Sequence, residues 1–588
     1  MNPYDVEQKP INYVPNEICV VVSTQQPVPP ARLYEAVRRT LNPLIAQVLE
    51  ADYPKPRDQD RLQRDLTPTM LRQRHKRGDS RRQVTLEPLH RLDRVDQDPV
   101  LRPYLQLPVA DGETRTLLFY AIHAPRPDGQ SDRYDGRVGV VRELVLLLNR
   151  HAPRWQTPGM DDVAFRVRSV GPNWLGVSGP HSCGGPGSVP TPVRAGEGRL
   201  HAEVDSAAYE AMRASHKSDA EIVVAVLDTR PSDADLDRAA RANLNPRLTE
   251  VAAHALKEAA LPMSEAYFVG LPEIDPNYNA DPDAATRDFR IPISDHGLFV
   301  AGLIADFVPV PNIHLYRVLN QYGTGDLYSL VTTLCSLPDI YLKDQPRRRL
   351  VVNLSLFIDV PAGDRRLSRW LPNSHRAPRQ LMNRWEAACR VLGPLDASLR
   401  DVIDWLTRSY PDQILIVAAA GNDFRGGPGS RPLTRPPAAY EGVLGVAAVN
   451  TAAKPSLYSN KADVGGPRNG VAIYGGDAHI DLGNPTGELQ VDESAPPKPP
   501  IDAVVGIYSA ERYPDLAHTR NTTGLAYWSG TSFATPFVAG IAAQTWAANP
   551  GLAAHQVLTT VVGFGALLGN AADPDGPLDA PTIFLKQV

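Results

Sequence analysis

The chain is poor in cysteine, has little net charge and lacks any long apolar run. Only four cysteines occur among 588 residues, Cys19, Cys183, Cys335 and Cys389, and no two form a CxxC pair. That scarcity argues against a disulfide scaffold or a thiolate zinc site. Each cysteine reads as a small buried hydrophobe. Lys and Arg total 61 against 66 Asp and Glu, a net charge of −5. So mild a balance argues against a dedicated nucleic-acid binder, which is usually basic. The longest apolar runs, such as ILIVAAAG at 414–421, fall far short of the roughly 18 residues that a membrane helix needs. The N-terminal MNPYDVEQKPINYVPNE is polar and acidic, without the charged-then-apolar form of a signal peptide. The expectation is a cytoplasmic protein with neither membrane nor nucleic acid as partner. HExxH, P-loop and GxGxxG motifs are also missing, so zinc, nucleotide and dinucleotide chemistry drop out.

Proline, by contrast, is abundant. The 56 prolines are scattered and read as many ordered loops and tight connections. Apolar residues at 43% and charged residues at 22% are ordinary globular values, which excludes general disorder. At about 150 residues per domain the length suggests three or four domains, but the pattern fits two larger units better.

Residues 1–170 contain strand–helix alternation. NEICVVVS (16–23) is β-rich. The helical segment 31–50 places Leu33, Val37, Leu41 and Leu44 on one face, and Pro43 is expected to kink or split it. A strand over 114–123, a helix over 136–152 and a strand over 163–170 complete a small α+β domain. The basic RQRHKRGDSRR at 72–82 reads first as a solvated loop or helix face, with a nucleic-acid patch as the sharper alternative. Residues 171–214 begin with a stretch dense in Gly and Pro and are expected to form a linker. Beyond them, near-continuous apolar runs at 221–227, 313–319, 350–357, 414–420 and 443–449 alternate with helical segments. That pattern predicts an α/β, doubly wound, mostly parallel sheet with helices on both faces over 215–588.

Three segments of this region carry candidate chemistry. Asp228 ends the buried strand EIVVAVLD. His296 opens an apolar helix in SDHGLFVAG. Ser532 opens another in SGTSFATPFVAG. Active sites of doubly wound sheets collect at the carboxyl ends of strands, and helix N-termini offer unpaired N–H groups to a developing anion. A serine hydroxyl needs a base, imidazole can be that base, and a carboxylate can orient the imidazole. Taken singly, each residue also has a plain reading. Asp228 or Ser532 could cap a turn or helix, and His296 could be one partly buried histidine among 14.

The order Asp, His, Ser and these flanks resemble the subtilisin-like serine proteases, or subtilases. VAVLDTR, HGLFVAG and GTSFATPFVAG are similar to the family's three catalytic segments. VAAAGND (417–423) resembles its Ala-Gly-Asn strand, which makes Asn422 the side-chain oxyanion donor beside the Ser532 backbone N–H. Ser355, Leu356 and Phe357, in a segment similar to the family's substrate strand, and Gly421 are then expected to bind substrate. Gly323 and Gly325 fall in a turn where close approach is expected. The resemblance covers about 215–570. It implies a serine endopeptidase with no cofactor and a protein or peptide as partner, and it makes the N-terminal domain a propeptide-like inhibitor, with a regulatory or partner-sensing module as the rival reading.

Some positions depart from the family's pattern. Arg230 stands where a glycine is usual, which strains the backbone if φ must be positive there. Leu298 and Phe299 replace Thr and a second His, and Phe357 replaces a glycine that opens the S1 pocket. Asp423 beside Asn422 is expected to favour a basic P1 residue. Insertions are expected around 232–290, 358–410 and 462–525. No metal site is assigned. DPNYNADPD at 275–283 has alternating oxygen ligands for a structural calcium but lacks the mid-loop glycine and distal glutamate. A pseudoprotease that keeps the fold as a binding module is the alternative from another class. Esterase or peptide-ligase activity would use the same residues.

Overall fold

The structure is a computed structural model. It describes residues 13–51, 69–89, 105–124, 140–151, 163–177, 190–193, 202–214, 221–255, 293–358, 397–424, 431–462, 469–477, 502–513, 519–565 and 578–587, a few single positions inside these ranges excepted. The chain divides into two compact units. The first comprises Met1–Leu175, Asp326–Thr332 and Val360–Trp405, and the second Gly176–Gly325, Thr333–Asp359 and Leu406–Val588.

The first unit is an antiparallel sheet with helices, which fits the α+β class. Strand β1 (Tyr13–Thr24) pairs with β4 (Thr114–His123) on one side and β5 (Arg166–Val177) on the other. Strands β2 (Thr85–Pro88) and β3 (Leu105–Pro108) both pair with β4. Ile18–Val22 are buried on both faces of the sheet. Helix α1 (Pro30–Glu50) buries Leu33, Val37, Leu41 and Ile45, so the stripe runs through Ile45 and not Leu44. Pro43 does not split α1. It sits on the exposed face, where the carbonyl left without a partner can meet water. Helix α2 is Val140–His151. Its Asn149 holds the backbone of Val170 through both side-chain atoms, at 2.7 and 2.9 Å.

The second unit is built on a parallel sheet of seven strands. In chain order they are β6 (Ile222–Asp228), β7 (Ile313–Arg317), β8 (Arg349–Leu354), β10 (Ile414–Ala419), β11 (Val443–Val449), β12 (Gly470–Tyr474) and β15 (Thr582–Ile583). Across the sheet the order is β15-β12-β11-β10-β8-β6-β7. Every neighbouring pair is parallel. β6, β10 and β11 are buried at every residue. Strands covered on both faces must be apolar throughout, which is why these runs lack alternation. Helices α3 (His296–Ile304) and α4 (Thr531–Ala548) pack into the same apolar core as the sheet. Both are apolar all round, and α3 is wholly buried.

A small antiparallel sheet joins β13 (Val504–Ile507), β14 (Leu525–Trp528) and Thr191–Pro192. Ala202–Val204 pairs with Leu585–Gln587. Parts of the Gly/Pro-rich segment 171–214 are therefore strands of this unit. The short strand β9 (Phe357–Ile358) pairs antiparallel with the end of β5, Phe357 with Val177 and Ile358 with Gly176. Gly323 has φ +70°, and the missing side chain of Gly325 admits the Val318 carbonyl to 2.1 Å from where its Cβ would stand. The close approach expected at this turn is thus made by the chain's own backbone. Among the described residues, no helix is long and apolar enough to cross a membrane.

Candidate active site

The site begins at the carboxyl end of β6. Asp228 is fully buried, and its Oδ1 accepts the Nδ1–H of His296 at 2.8 Å. The same oxygen accepts the Thr229 N–H at 2.6 Å. Strand end and helix start are clamped together by Thr229. Its hydroxyl donates to the Ser294 carbonyl at 2.9 Å and accepts the Gly297 N–H at 3.0 Å. Gly297 makes this possible. A Cβ there would lie 2.2 Å from the Thr229 carbonyl oxygen and 2.9 Å from Asp228 Cβ. His296 is the first residue of α3 and is buried. Its ring meets Trp528 edge-on at 5.3 Å and Phe533 at 5.0 Å. Among the described residues its Nε2 has no hydrogen-bond partner. The clamp fixes the imidazole tautomer: Nδ1 carries the proton and Nε2 keeps its lone pair.

Ser532 lies in the first turn of α4, where backbone N–H groups lack helical acceptors. Its Oγ donates to the Ser355 carbonyl at 3.1 Å. Ser355, just beyond β8, donates its own Oγ to the Ser532 carbonyl at 2.7 Å and accepts from Asn353 Nδ2 at 3.0 Å. Asn422 follows the end of β10. Its Oδ1 accepts the Thr531 N–H at 3.0 Å and the Thr531 hydroxyl at 2.8 Å. That pair of bonds decides which way the amide points. Nδ2 is left on the side of Gly530, 3.6 Å from where a Cβ would stand on that residue.

Residues 345–576 match the model of the subtilase family. The chain carries a subtilase domain. The matched span holds Ser355, Asn422 and Ser532, while Asp228 and His296 precede it. Over that span the chain is similar to the subtilisin-like serine proteases. No curated protein matches it. Among solved structures, that of a lanthipeptide protease is similar over 64% of this chain and 87% of its own, with 18% identity and a TM-score of 0.32.

Several residues of the subtilase site sit otherwise than their sequence suggests. Arg230 has no positive φ. It pairs with Asp233 at 2.8 Å, so the missing glycine costs no left-handed strain. Phe299 fills the core against Phe533 at 4.8 Å and Trp528 at 5.7 Å. Leu356 and Phe357 are buried, and Gly421 has φ +107°. Asp423 does not offer a lone carboxylate, because the Arg435 guanidinium binds both of its oxygens. The clamp role of Thr229 was legible only as part of a motif. Arg435 gives no signal in sequence, being twelve positions from its partner in a Pro-rich loop.

Asp295 is a further buried carboxylate, directly before His296. It accepts the Ser509 N–H at 3.2 Å, the Ser509 hydroxyl at 2.5 Å and the Ala510 N–H at 2.8 Å. Burial pushes its carboxyl up to about 6, against the partial relief of those bonds. The basic run 72–82 is in part structural, with Arg74 and His75 buried and Arg74 donating to the Ala124 carbonyl at 3.1 Å. The calcium candidate at 275–283 lies outside the described residues. Among the described residues, no group of three His, Cys, Asp or Glu is placed to hold a metal ion.

Proposed function

We propose that this subtilase hydrolyses peptide bonds through Ser532, His296 and Asp228. Ser532 Oγ attacks the carbonyl carbon as His296 Nε2 takes its proton. His296 returns that proton to the leaving amine, and the acyl-enzyme is then hydrolysed by water. Asp228 holds the imidazole tautomer and stabilises the imidazolium. The oxyanion is held by the Ser532 N–H and Asn422 Nδ2. The observation that carries this reading is the buried 2.8 Å bond from His296 Nδ1 to Asp228, with Nε2 left to act as a base.

The chain is held off in the same reading. Ser532 Oγ rests on the Ser355 carbonyl, and that bond must give way before the hydroxyl can pass its proton to His296. Gly176 and Val177 lie antiparallel to Ile358 and Phe357. An added strand is how a sheet edge takes an extended peptide, so the chain's own segment occupies the edge beside Ser355. The N-terminal domain that leads into this segment acts as the inhibitor, and its cleavage frees the edge.

The resting place of the Ser532 hydroxyl also favours a second reading, a pseudoprotease that binds without cutting. A fluorophosphonate probe separates the two. The purified chain and Ser532→Ala are treated side by side, before and after limited proteolysis within 171–199, and intact masses are recorded. Labelling of the wild type alone is expected, stronger after proteolysis. A folded wild type that stays unlabelled in both states would establish the pseudoprotease.

A further inference from the structure

Beyond the carboxyl ends of the adjacent parallel strands β8 and β10, one side chain touches residues that follow both. Arg435 is only 2% exposed. Its guanidinium binds both oxygens of Asp423 on the β10 side. It also lies 4.4 Å from the centre of the Phe357 ring on the β8 side. Its stem packs on Gly421, where a Cβ would come within 3.2 Å of Arg435 Cγ. The backbone around it is pinned to the residue after β10 and to β9. The Arg435 N–H donates to the Ala420 carbonyl at 3.0 Å, and the Ile358 N–H donates to the Pro436 carbonyl at 2.9 Å. Asn460 steadies the acid, donating Nδ2 to Asp423 at 2.8 Å and accepting the Asp423 N–H at 2.9 Å.

We infer that Arg435 sets the specificity of this protease by restricting the residue whose carbonyl Ser532 attacks to a small, uncharged side chain. The inference rests on the reaction proposed above. The attacked carbon must meet Ser532 Oγ while its oxygen faces the Ser532 N–H and Asn422. Asn422 adjoins Gly421 and Asp423, and Ser532 is bonded to Ser355, two positions before Phe357. In the proposed pose the side chain next to the attacked carbon lies on the side of Gly421 and Phe357, against Arg435. A long apolar group would have to displace the Arg435 stem from Gly421 and Phe357. A cationic group would meet the guanidinium, with Asp423 already paired. An anionic group would compete with Asp423 for a cation held on two sides. Glycine and alanine ask for none of this.

The test uses peptidyl diphenyl phosphonates that differ only in the side chain next to phosphorus: alanine, phenylalanine or lysine. Ser532 Oγ forms the P–O bond, phenoxide leaves, and His296 takes the serine proton. A fluorophosphonate without such a side chain reports the reactivity of Ser532 itself. Wild type is expected to react with the alanine probe about tenfold or more faster than with the other two. In Arg435→Ala the phenylalanine and lysine probes should both gain by about tenfold or more, lysine because Asp423 is freed. That variant strands a buried carboxylate, so Arg435→Ala with Asp423→Asn is made as well. The double variant should gain phenylalanine and not lysine. Wild type taking phenylalanine as fast as alanine would overturn the inference, as would a double variant that keeps the wild-type order. If the fluorophosphonate labels Ser532 but the peptidyl probes are not discriminated, the inference falls and the proposed reaction stands. If no probe labels Ser532, both fall.

Discussion

Ser532 and Ser355 hold each other by exchanged hydrogen bonds. Ser532 Oγ donates to the Ser355 carbonyl at 3.1 Å, and Ser355 Oγ donates to the Ser532 carbonyl at 2.7 Å. The second bond fixes the start of α4 to the end of β8. The first engages the Ser532 hydroxyl, while His296 Nε2 has no hydrogen-bond partner among the described residues. One bond is needed for the site to keep its shape, and the other must break before the proposed attack. A hydrogen bond between neutral groups contributes only about 1 kcal/mol net, so a bound carbonyl held by two donors can readily compete with it.

The oxyanion arrangement makes a direct prediction. Asn422 spends its Oδ1 on the Thr531 N–H and hydroxyl, and this leaves Nδ2 for the proposed oxyanion. Asn422→Ala removes the donor, so kcat should fall by about 10²–10³ with KM little changed. It also removes a cap from the start of α4, which should cost about 1 kcal/mol of stability. Steady-state kinetics on a peptide ester, beside thermal unfolding, reads both. A kcat within about threefold of wild type would remove Asn422 from the proposed site.

Close packing at Gly297 makes another. The Asp228–His296 bond depends on α3 starting hard against the end of β6, and the Gly297 Cβ position lies 2.2 Å from the Thr229 carbonyl oxygen. That neighbour is backbone and cannot swing aside. Gly297→Ala should lower stability by about 1–3 kcal/mol. It should also abolish fluorophosphonate labelling of Ser532, since the imidazole is moved. Unchanged labelling in a folded variant would show that the helix start can retreat without moving His296.

Much of this was legible before any coordinates, for definite reasons. Strands covered on both faces must be apolar throughout, so β6, β10 and β11 announce a parallel sheet by themselves. Asp228, His296 and Ser532 each stand at the end of a strand or the start of a helix, where local sequence shows the junction. What stayed hidden depends on partners distant in the chain or on faces that differ by one residue. Ile45, not Leu44, completes the buried stripe of α1. Pro43 stays within α1 because its face is exposed. Asp423 looks like a free acid until Arg435 arrives from a separate loop. Asp295 and Asp228 are both carboxylates near His296, and only the fold shows that Asp228 meets the ring while Asp295 turns to Ser509 and Ala510.

That division between two acids gives a prediction in pH. The Asp295 carboxyl is raised by burial from 3.8 to about 6. An acid with a raised folded value binds its proton more tightly when folded. Its contribution is therefore fully present below about pH 4 and is lost as pH rises through about 6. The difference corresponds to roughly 3 kcal/mol between the two limits. Other acids titrate in the same window, so the comparison must be with Asp295→Asn. The thermal midpoint of wild type relative to this variant should decline steadily from pH 4 to pH 7. The two should keep a constant offset above pH 7, where Asp295 is ionised in both folded and unfolded chains. A wild-type advantage that is flat from pH 4 to pH 7 would mean that the Ser509 and Ala510 donors offset the burial of the charge in full. In that case Asp295 serves only as a fixed tie between the start of α3 and the loop after β13.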